Sequence, residues 1–126
     1  MRNLSCAVTA EQVIARTKTV TRRLGTFWAC LKVGEKLCLV RKARGLRKGE
    51  RVERLAVVEV VDVGAQALGC IIHYGREELA KEGFPGMTPA EFVAMFRKMH
   101  KCEPDPLVTR IEWRYVDDTG TEARDE

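Results

Sequence analysis

Lys18 and Thr21 are the residues whose types and spacing first suggest chemistry in this sequence. They lie in the segment TKTVTRR, residues 17–23, which has three threonines, a lysine and two arginines and no apolar period. A threonine hydroxyl becomes a nucleophile when a neighbouring base takes its proton. A lysine amine can be that base if burial or nearby cations lower its pKa. Arg22 and Arg23 are such cations, although a Lys-x-x-Thr spacing is also typical of an exposed turn.

Glu82 is the third residue with a candidate chemical role. It falls at the end of a short helix predicted from Gly75 to Lys81, where a carboxylate is unfavourable because the helix dipole is negative there. A cation, such as Lys18 or an arginine across a cleft, is one explanation for a carboxylate at this position. The alternative is an exposed glutamate beside Lys81.

Two Cys/His pairs have spacings that could bind zinc. Cys70 and His73 form a Cys-x-x-His pair, and His100 and Cys102 form a His-x-Cys pair. A four-ligand zinc site would require the two segments to meet. The apolar flanks favour buried thiols and ordinary histidines instead, so we expect no metal and no cofactor.

Basic residues are concentrated in the first half of the chain. Residues 1–54 contain fourteen Lys/Arg and four Asp/Glu, whereas residues 55–126 contain eight and fourteen. The segment RKARGLRKGERVER, residues 41–54, has seven basic and two acidic residues, which suits the phosphates of an RNA backbone. A solvated hairpin tip is the alternative. The predicted RNA-binding or nucleotide-binding cations are Arg22, Arg23, Arg41, Lys42, Arg44, Arg47 and Lys48.

The aromatic residues add a second feature of nucleic-acid binding. Trp28, with Phe27, Tyr74 and Trp113, could stack a base, as aromatic side chains do in proteins that bind single strands. Tryptophans in a small domain are also typical of a core. Trp28 is the predicted stacking residue.

Length and composition indicate one soluble globular domain. The chain has 126 residues, of which 45% are hydrophobic and 32% charged. No apolar run approaches the roughly 18 residues of a membrane span. The five cysteines are an odd number without regular spacing, which is typical of reduced thiols. We expect a cytoplasmic protein that does not bind membranes.

Two capping boxes predict the starts of helices that flank these residues. Thr9 and Gln12 precede a short helix from about Ala10 to Arg16, which leads directly into TKTVTRR and places that segment at a helix exit, facing a loop. Thr88 and Glu91 precede a second helix with proline at its first position. The apolar face of this second helix consists of Phe92, Val93, Phe96 and Met99.

Alternating and β-branched segments predict the strands. Lys36 to Val40 and Arg54 to Val63 are expected to pair as a hairpin across the basic loop. Short strands joined by irregular turns favour an α+β fold in which helices pack at the side of a small barrel-like sheet. The other predicted strands are residues 3–8 and 108–116, and residues 117–126 form an acidic tail.

The order of several short motifs resembles the ASCH domain, a relative of the PUA RNA-binding barrel. The resemblance extends from about Asn3 to Val116, so residues 1–116 are predicted to form one domain. The chain is similar in particular to small ASCH proteins of bacteria and prophages. The motifs in chain order are KTVTRR at 18–23, GE at 34–35, EGF at 82–84, TPAE at 88–91 and TRIE at 109–112.

This resemblance implies a PUA-like β-barrel with a cleft beside its helices, and it implies an activity. One branch of the family, the bacterial N4-acetylcytidine amidohydrolases, has a lysine, a threonine three residues later and a glutamate further along. These positions fall on Lys18, Thr21 and Glu82. The implied roles are activation of the threonine hydroxyl by lysine, attack on the amide carbonyl, and proton transfer assisted by glutamate. Arg23 matches an arginine of that branch.

The same resemblance leaves other functions open. Arg22 replaces an apolar residue of that branch, and the basic loop is an addition that favours a larger RNA ligand. Other ASCH proteins are viewed as RNA binders, and a ribonuclease role has been proposed in the family. The alternatives to amide hydrolysis are therefore a non-catalytic RNA-binding module and cleavage of single-stranded RNA.

Overall fold

Strands and helices are interleaved along the chain in the computed structural model, which describes residues 1–43 and 46–116. Two 3-10 helices, Phe27–Cys30 and Leu68–His73, connect some of them. The strands are β1 (Arg2–Ser5), β2 (Val20–Leu24), β3 (Lys36–Val40), β4 (Arg54–Ala67) and β5 (Leu107–Val116), and the helices are α1 (Ala10–Ile14), α2 (Arg76–Glu82) and α3 (Pro89–His100).

The strands form one curled sheet in the order β1-β3-β4-β5-β2. β1 pairs with β3 in parallel, and the other pairs are antiparallel. β4 is long enough to pair with β3 at one end and with β5 along most of its length, and a register shift between Val60 and Asp62 bends it. At the outer strands, the Arg23 guanidinium on β2 donates to the Ser5 carbonyl at the end of β1. The predicted α+β fold, a small barrel-like sheet with helices at its side, is confirmed, and the five strands form a curled half-barrel.

Two apolar clusters hold these layers together. One lies on the inner face of the sheet, where Leu4, Leu37, Val58 and Trp113 are almost completely buried. The second joins β5 and the second 3-10 helix to α2 and α3 through residues that include Leu79, Phe92 and Phe96. The second cluster fixes α3 opposite β2, which forms the two facing walls of a cleft.

The predicted hairpin and the second capping box are confirmed. β3 and β4 pair antiparallel on either side of the basic loop, residues 41–53, which is called the β3–β4 loop below. At the start of α3, the Glu91 amide donates to the Thr88 hydroxyl and the Thr88 amide donates to the Glu91 carboxylate. Both bonds satisfy amides that a helix start would otherwise leave unpaired.

The predicted capping box at Thr9 is wrong. Thr9 makes no side-chain hydrogen bond to α1, and its backbone dihedrals (φ −113°, ψ 25°) lie outside the extended region of an ordinary N-cap. Its side chain is instead buried against the turn after α2, where a Cβ at Gly83 would lie 2.9 Å from Thr9 Cγ2. This contact packs the start of α1 against the end of α2.

The placement of TKTVTRR at a helix exit facing a loop is also wrong for most of the segment. Val20–Leu24 is an outer strand, and Thr21 and Arg23 lie opposite Ile111 and Thr109 of β5. The strand has no apolar alternation because Thr21, Arg22 and Arg23 line the cleft and Arg22 also belongs to a group of buried charges. Pairing with β5 therefore decides its conformation, as β-branched threonine and valine permit.

Some residues with predicted roles lie outside the described ranges. These are Arg44, in the β3–β4 loop, and the predicted acidic tail at 117–126. Within the ranges that are described, no helix is long and apolar enough to cross a membrane.

Candidate functional site

A cavity of about 220 Å³ lies between β2, the segment that follows β1, and helix α3. The three predicted catalytic residues, Lys18, Thr21 and Glu82, all line this cleft. Its other lining residues are Ser5, Cys6, Ala7, Val8, Thr9, Arg22, Arg23, Phe84, Phe92, Met95, Phe96, Met99 and His100.

Lys18 is buried in the floor of the cleft, with 2% of its surface exposed. Its backbone carbonyl accepts hydrogen bonds from the Trp113 indole (3.2 Å) and the Tyr115 hydroxyl, which fix the start of β2. Its amine donates to the Glu82 main-chain carbonyl and lies 3.7 Å from Glu82 Oε2. Burial lowers the pKa of Lys18, Arg23 lowers it further, and the Glu82 carboxylate opposes this without reversing it. Deprotonating the Lys18 amine therefore costs less free energy than deprotonating an exposed lysine.

Thr21 lines the same cleft as Lys18 and is also buried, with 4% of its surface exposed. Its backbone belongs to β2, so its position is fixed by pairing with β5. The Thr21 hydroxyl makes no hydrogen bond to another group in residues 1–43 and 46–116. The hydroxyl is thus free to approach a ligand in the cleft.

Glu82 is held by two cations, which agrees with one of the two alternatives that the sequence left open, and the exposed alternative is wrong. It is the last residue of α2, and 3% of its surface is exposed. The Arg22 amide donates to one carboxylate oxygen (3.0 Å) and the Arg22 guanidinium to the other (2.7 Å), while Lys18 is the second cation nearby. Gly83 then ends the helix with φ +107°, a conformation that favours glycine.

Behind Glu82, further ion pairs join it to β5. Arg22 Nη2 lies 2.7 Å from Glu78 Oε2, and Arg110 donates to both Glu78 oxygens at 2.6 and 3.1 Å. Both guanidinium groups lie over the Tyr74 ring, at 5.0 and 5.2 Å from its centroid. The residues Arg22, Glu78, Glu82 and Arg110 are called the charge network below.

The charge network changes the titration of Glu78. Burial alone would raise the pKa of this carboxyl, but hydrogen bonds from Arg110 and attraction to Arg22 outweigh burial and lower the pKa overall. Sequence reasoning missed Glu78 and Arg110. A usable signal was present, since Glu78 is four residues before Glu82 and so shares its face of α2.

Arg23 differs from Arg22 because it has no carboxylate partner among the described residues. Its guanidinium donates to the Ser5 carbonyl and lies 3.8 Å from the Cys6 sulfur. Its Nε is buried without a hydrogen-bond partner, as is the Nε of Arg22, so the difference lies in the carboxylate partners. Burial raises the pKa of the Cys6 thiol, which keeps the thiol neutral and leaves Arg23 uncompensated. Arg23 is therefore a cation that a ligand can engage.

An aromatic wall faces these polar groups across the cleft. The rings of Phe84, Phe92, Phe96 and His100 follow one another with centroid separations of 6.0, 6.0 and 4.3 Å, and they are called the aromatic ladder below. Phe92 and Phe96 are buried, whereas His100 is exposed at the end of α3. The sequence predicted the apolar face of α3 but not that this face lines a site.

The other predicted binding residues lie outside the cleft lining. In the β3–β4 loop, Arg41 Nε is 3.0 Å from Glu53, Lys42 Nζ is 3.9 Å from Glu50, and Arg47 and Lys48 are exposed. The roles of these residues in RNA binding stay predictions.

Trp28 likewise lies away from the cleft lining. Its ring packs against the inner cluster of the sheet, and Arg2 lies 5.3 Å from the ring centroid. Stacking of a base on Trp28 stays a prediction.

The two Cys/His pairs do not come together as a metal site. In the described ranges no group of three or more His, Cys, Asp or Glu side chains is placed to hold a metal ion. His100 lines the cleft instead, and Cys70 and Cys102 are partly buried thiols.

Comparison with known proteins gives the fold of this chain. Neither a family model nor a curated protein sequence matches it. Among solved structures, an ASCH domain from Lactobacillus crispatus superposes with a TM-score of 0.65 at 14% identity, covering 92% of this chain and 79% of that one. The chain has the fold of an ASCH domain. The predicted resemblance is thereby confirmed for the fold, which is what similarity at this level of identity shows.

Two further structures share the ASCH-type fold. A protein from Enterococcus faecalis described by the family model DUF984 gives a TM-score of 0.57 at 16% identity, with 86% of this chain and 66% of that chain covered. A hypothetical protein, PH0355, gives a TM-score of 0.59 at 18% identity, with 91% and 96% covered. This chain thus spans nearly the whole of one small protein of the same fold.

Proposed function

We propose that this ASCH-type protein recognises RNA or a modified nucleoside and hydrolyses the amide of an N4-acylated cytidine. The observation that carries the proposal is the presence of Lys18, Thr21 and Glu82 in one cleft, with burial lowering the pKa of Lys18. A base with a lowered pKa and an unbonded hydroxyl in one cleft supply the two groups that nucleophilic catalysis requires.

In the first step, Lys18 accepts the proton of the Thr21 hydroxyl while the hydroxyl oxygen attacks the amide carbonyl carbon. The carbonyl oxygen gains negative charge, and Arg23 donates to it because its guanidinium has no carboxylate partner in the described chain. The carbon–nitrogen bond then breaks. The proton held on Lys18 passes to the departing amine with the assistance of Glu82, which leaves an ester on Thr21.

In the second step, water hydrolyses that ester. Lys18 accepts a proton from the water, the hydroxide attacks the ester carbonyl, and the Thr21 oxygen leaves and is reprotonated by Lys18. The products are cytidine and a carboxylic acid. Arg22 positions Glu82 through two hydrogen bonds, so its predicted contact with the nucleotide is indirect in this mechanism.

The test is turnover of N4-acetylcytidine by the purified protein, followed by the ultraviolet change on deacylation. Lys18→Ala and Thr21→Ala should each abolish turnover, whereas Lys32→Ala, at an exposed lysine, should retain it. Absence of turnover by the unmodified protein, or full turnover by Lys18→Ala, would sink the proposal.

A second candidate is RNA binding without hydrolysis. It is favoured by Arg47 and Lys48, which are exposed and have no ion-pair partner among the described residues. Binding through these cations should weaken as salt rises, and the double variant Arg47→Glu/Lys48→Glu should weaken it further. Fragments of a labelled RNA that disappear in the Lys18→Ala variant would instead indicate cleavage of the strand.

A further inference from the structure

The end of α3 carries a group of cations to which the sequence assigned no role. Arg97, Lys98 and Lys101 are exposed, and none forms an ion pair within the described part of the chain. Basic residues at a helix end interact favourably with the helix dipole, which is the ordinary explanation for them. The helix dipole does not explain why these cations lie next to the exposed end of the aromatic ladder.

The aromatic ladder reaches the surface at the same place. It begins at Phe84 and ends at His100, which is exposed and lines the cleft together with Met99. Arg97 is three residues before His100 and therefore its neighbour on the helix surface, and Lys101 follows His100 directly. Cations and a planar ring are thus adjacent at the mouth of the cleft. Burial and Arg23 lower the pKa of His100, so this ring is neutral and suited to stacking.

A second group of cations lies on the loop that begins next to the β1 side of the same cleft. Ser5 lines the cleft, and its hydroxyl donates to the Arg41 carbonyl at 3.4 Å, where the β3–β4 loop begins. The exposed Arg47 and Lys48 belong to that loop. The cleft therefore has one basic segment starting at its β1 wall and another at its α3 wall.

We propose that the nucleotide held in the cleft belongs to a single strand of RNA, whose backbone crosses the mouth and contacts Arg97 and Lys101 on the α3 side. This rests on the proposed function, because it names the form in which that site receives its ligand. A free nucleoside has no phosphate for these cations. A base next to the one in the cleft stacks on His100. Single-strand binders combine backbone cations with aromatic platforms in this way.

The test is a titration of a short fluorescent single-stranded RNA, measured by anisotropy between about 50 mM and about 200 mM salt. The variant Arg97→Glu/Lys101→Glu should bind about tenfold or more weakly, and the slope of log affinity against log salt should fall by about 0.7 for each phosphate that the protein no longer neutralises. The matched control is Lys32→Glu/Lys36→Glu, which reverses two exposed cations outside the cleft lining and should bind within about twofold of the unmodified protein.

Charge reversal at a helix end can also destabilise α3, so thermal melting of each variant accompanies the titration. Arg97→Gln/Lys101→Gln removes the cations without adding negative charge and should give a weaker form of the same effect. Equal binding by the α3 variant and its matched control would overturn the proposal. Equal loss of affinity for duplex RNA and for an acidic peptide would also overturn it, because the surface would then be a general anion site.

Turnover of free N4-acetylcytidine separates this inference from the proposed function. The α3 variant should retain that turnover, because Arg97 and Lys101 do not line the cleft. If the protein hydrolyses N4-acetylcytidine but the α3 variant binds RNA as tightly as the unmodified protein, the proposed path of the RNA strand over α3 is rejected and the hydrolase is not. If the α3 variant binds RNA more weakly but the unmodified protein does not hydrolyse N4-acetylcytidine, the path of the RNA strand over α3 is supported and the hydrolase is rejected.

Discussion

Two groups of buried charges meet at Glu82, and they differ in how completely their charges are paired. In the charge network, each carboxylate is within 3.1 Å of guanidinium donors, and Arg22 and Arg110 also lie over Tyr74. On the cleft side, Lys18 is 3.7 Å from the carboxylate of Glu82, Arg23 has no carboxylate partner in the described chain, and the Thr21 hydroxyl is unbonded.

This difference separates a structural role from a chemical one. A buried charge with several partners is held in one protonation state, because changing that state would leave its partners unpaired. A buried lysine that is incompletely compensated can lose its proton near neutral pH. Glu82 belongs to both groups, so the network orients the carboxylate that the cleft uses.

The largest expected effect is on turnover when the cleft side is changed. Lys18→Met removes the proposed base while retaining an apolar stem of similar length, and turnover of N4-acetylcytidine should fall by about 10²–10⁴-fold. The free energy of unfolding should not decrease, because a costly buried amine is removed. Steady-state kinetics and urea denaturation measure the two quantities. A large loss of stability would mean that Lys18 belongs to the structural group.

The next effect should appear in stability when the charge network is broken. Glu78→Ala removes hydrogen bonds to Arg22 and Arg110, and the free energy of unfolding should fall by about 1.5–3 kcal/mol, because Arg22 keeps Glu82 and Arg110 keeps Asp62 and Glu112 as partners. Urea denaturation at neutral pH measures this change. Glu77→Ala is the matched control, because Glu77 is its exposed neighbour on α2, and it should lie within about 0.5 kcal/mol of the unmodified protein.

The pH dependence of stability should distinguish the two groups by sign. The pKa of Glu78 is lowered from 4.5, so its contribution is present above that pH and is lost as pH falls through the folded-state pKa. The pKa of Lys18 is lowered from 10.5, so stability rises with pH from the folded-state pKa up to 10.5 as the buried amine loses its charge.

Denaturation midpoints across both pH ranges check this prediction. Glu78→Gln should reduce the change in midpoint at acidic pH and leave the change at alkaline pH as it is. Lys18→Met should reduce the change at alkaline pH and leave the change at acidic pH as it is. A profile in which Lys18→Met flattens the acid side would contradict the assignment of the two groups.

The smallest expected effect concerns the aromatic ring beneath the network. Tyr74→Leu removes the surface over which Arg22 and Arg110 lie and should reduce stability by about 1 kcal/mol, since Tyr74 is partly exposed. Tyr74→Phe keeps the ring and loses the hydrogen bond from Gln66, so its effect should be smaller. Equal losses in the two variants would show that the hydroxyl, and not the ring, supports the network.

The local parts of the fold were predictable because their determinants are close in sequence. The β3–β4 hairpin followed from a short apolar segment and a β-branched segment flanking a basic loop, and the start of α3 followed from Thr88, Pro89 and Glu91. A cation beside Glu82 was one of two alternatives suggested by its place at a helix end. Each inference needed only a few neighbouring residues and one physical rule.

The prediction failed where a distant strand decides the conformation. β2 has no apolar alternation, and β5, which pairs with it, begins more than eighty residues later at Leu107. The Thr9 capping box failed for a similar reason, because packing on Gly83 holds Thr9 in a different conformation.

By itself, the sequence determined the chemical groups available to this protein: a lysine and a threonine three residues apart, a glutamate at the end of a helix, and an apolar face on the last helix. The tertiary structure decided that these groups share one cleft, and that Arg22 joins the charge network while Arg23 remains available to a ligand. The physical reason is that pKa shifts and charge pairing depend on burial and on distances between side chains. Those distances are set by the pairing of β2 with β5 and by the packing of α2 and α3 against the sheet.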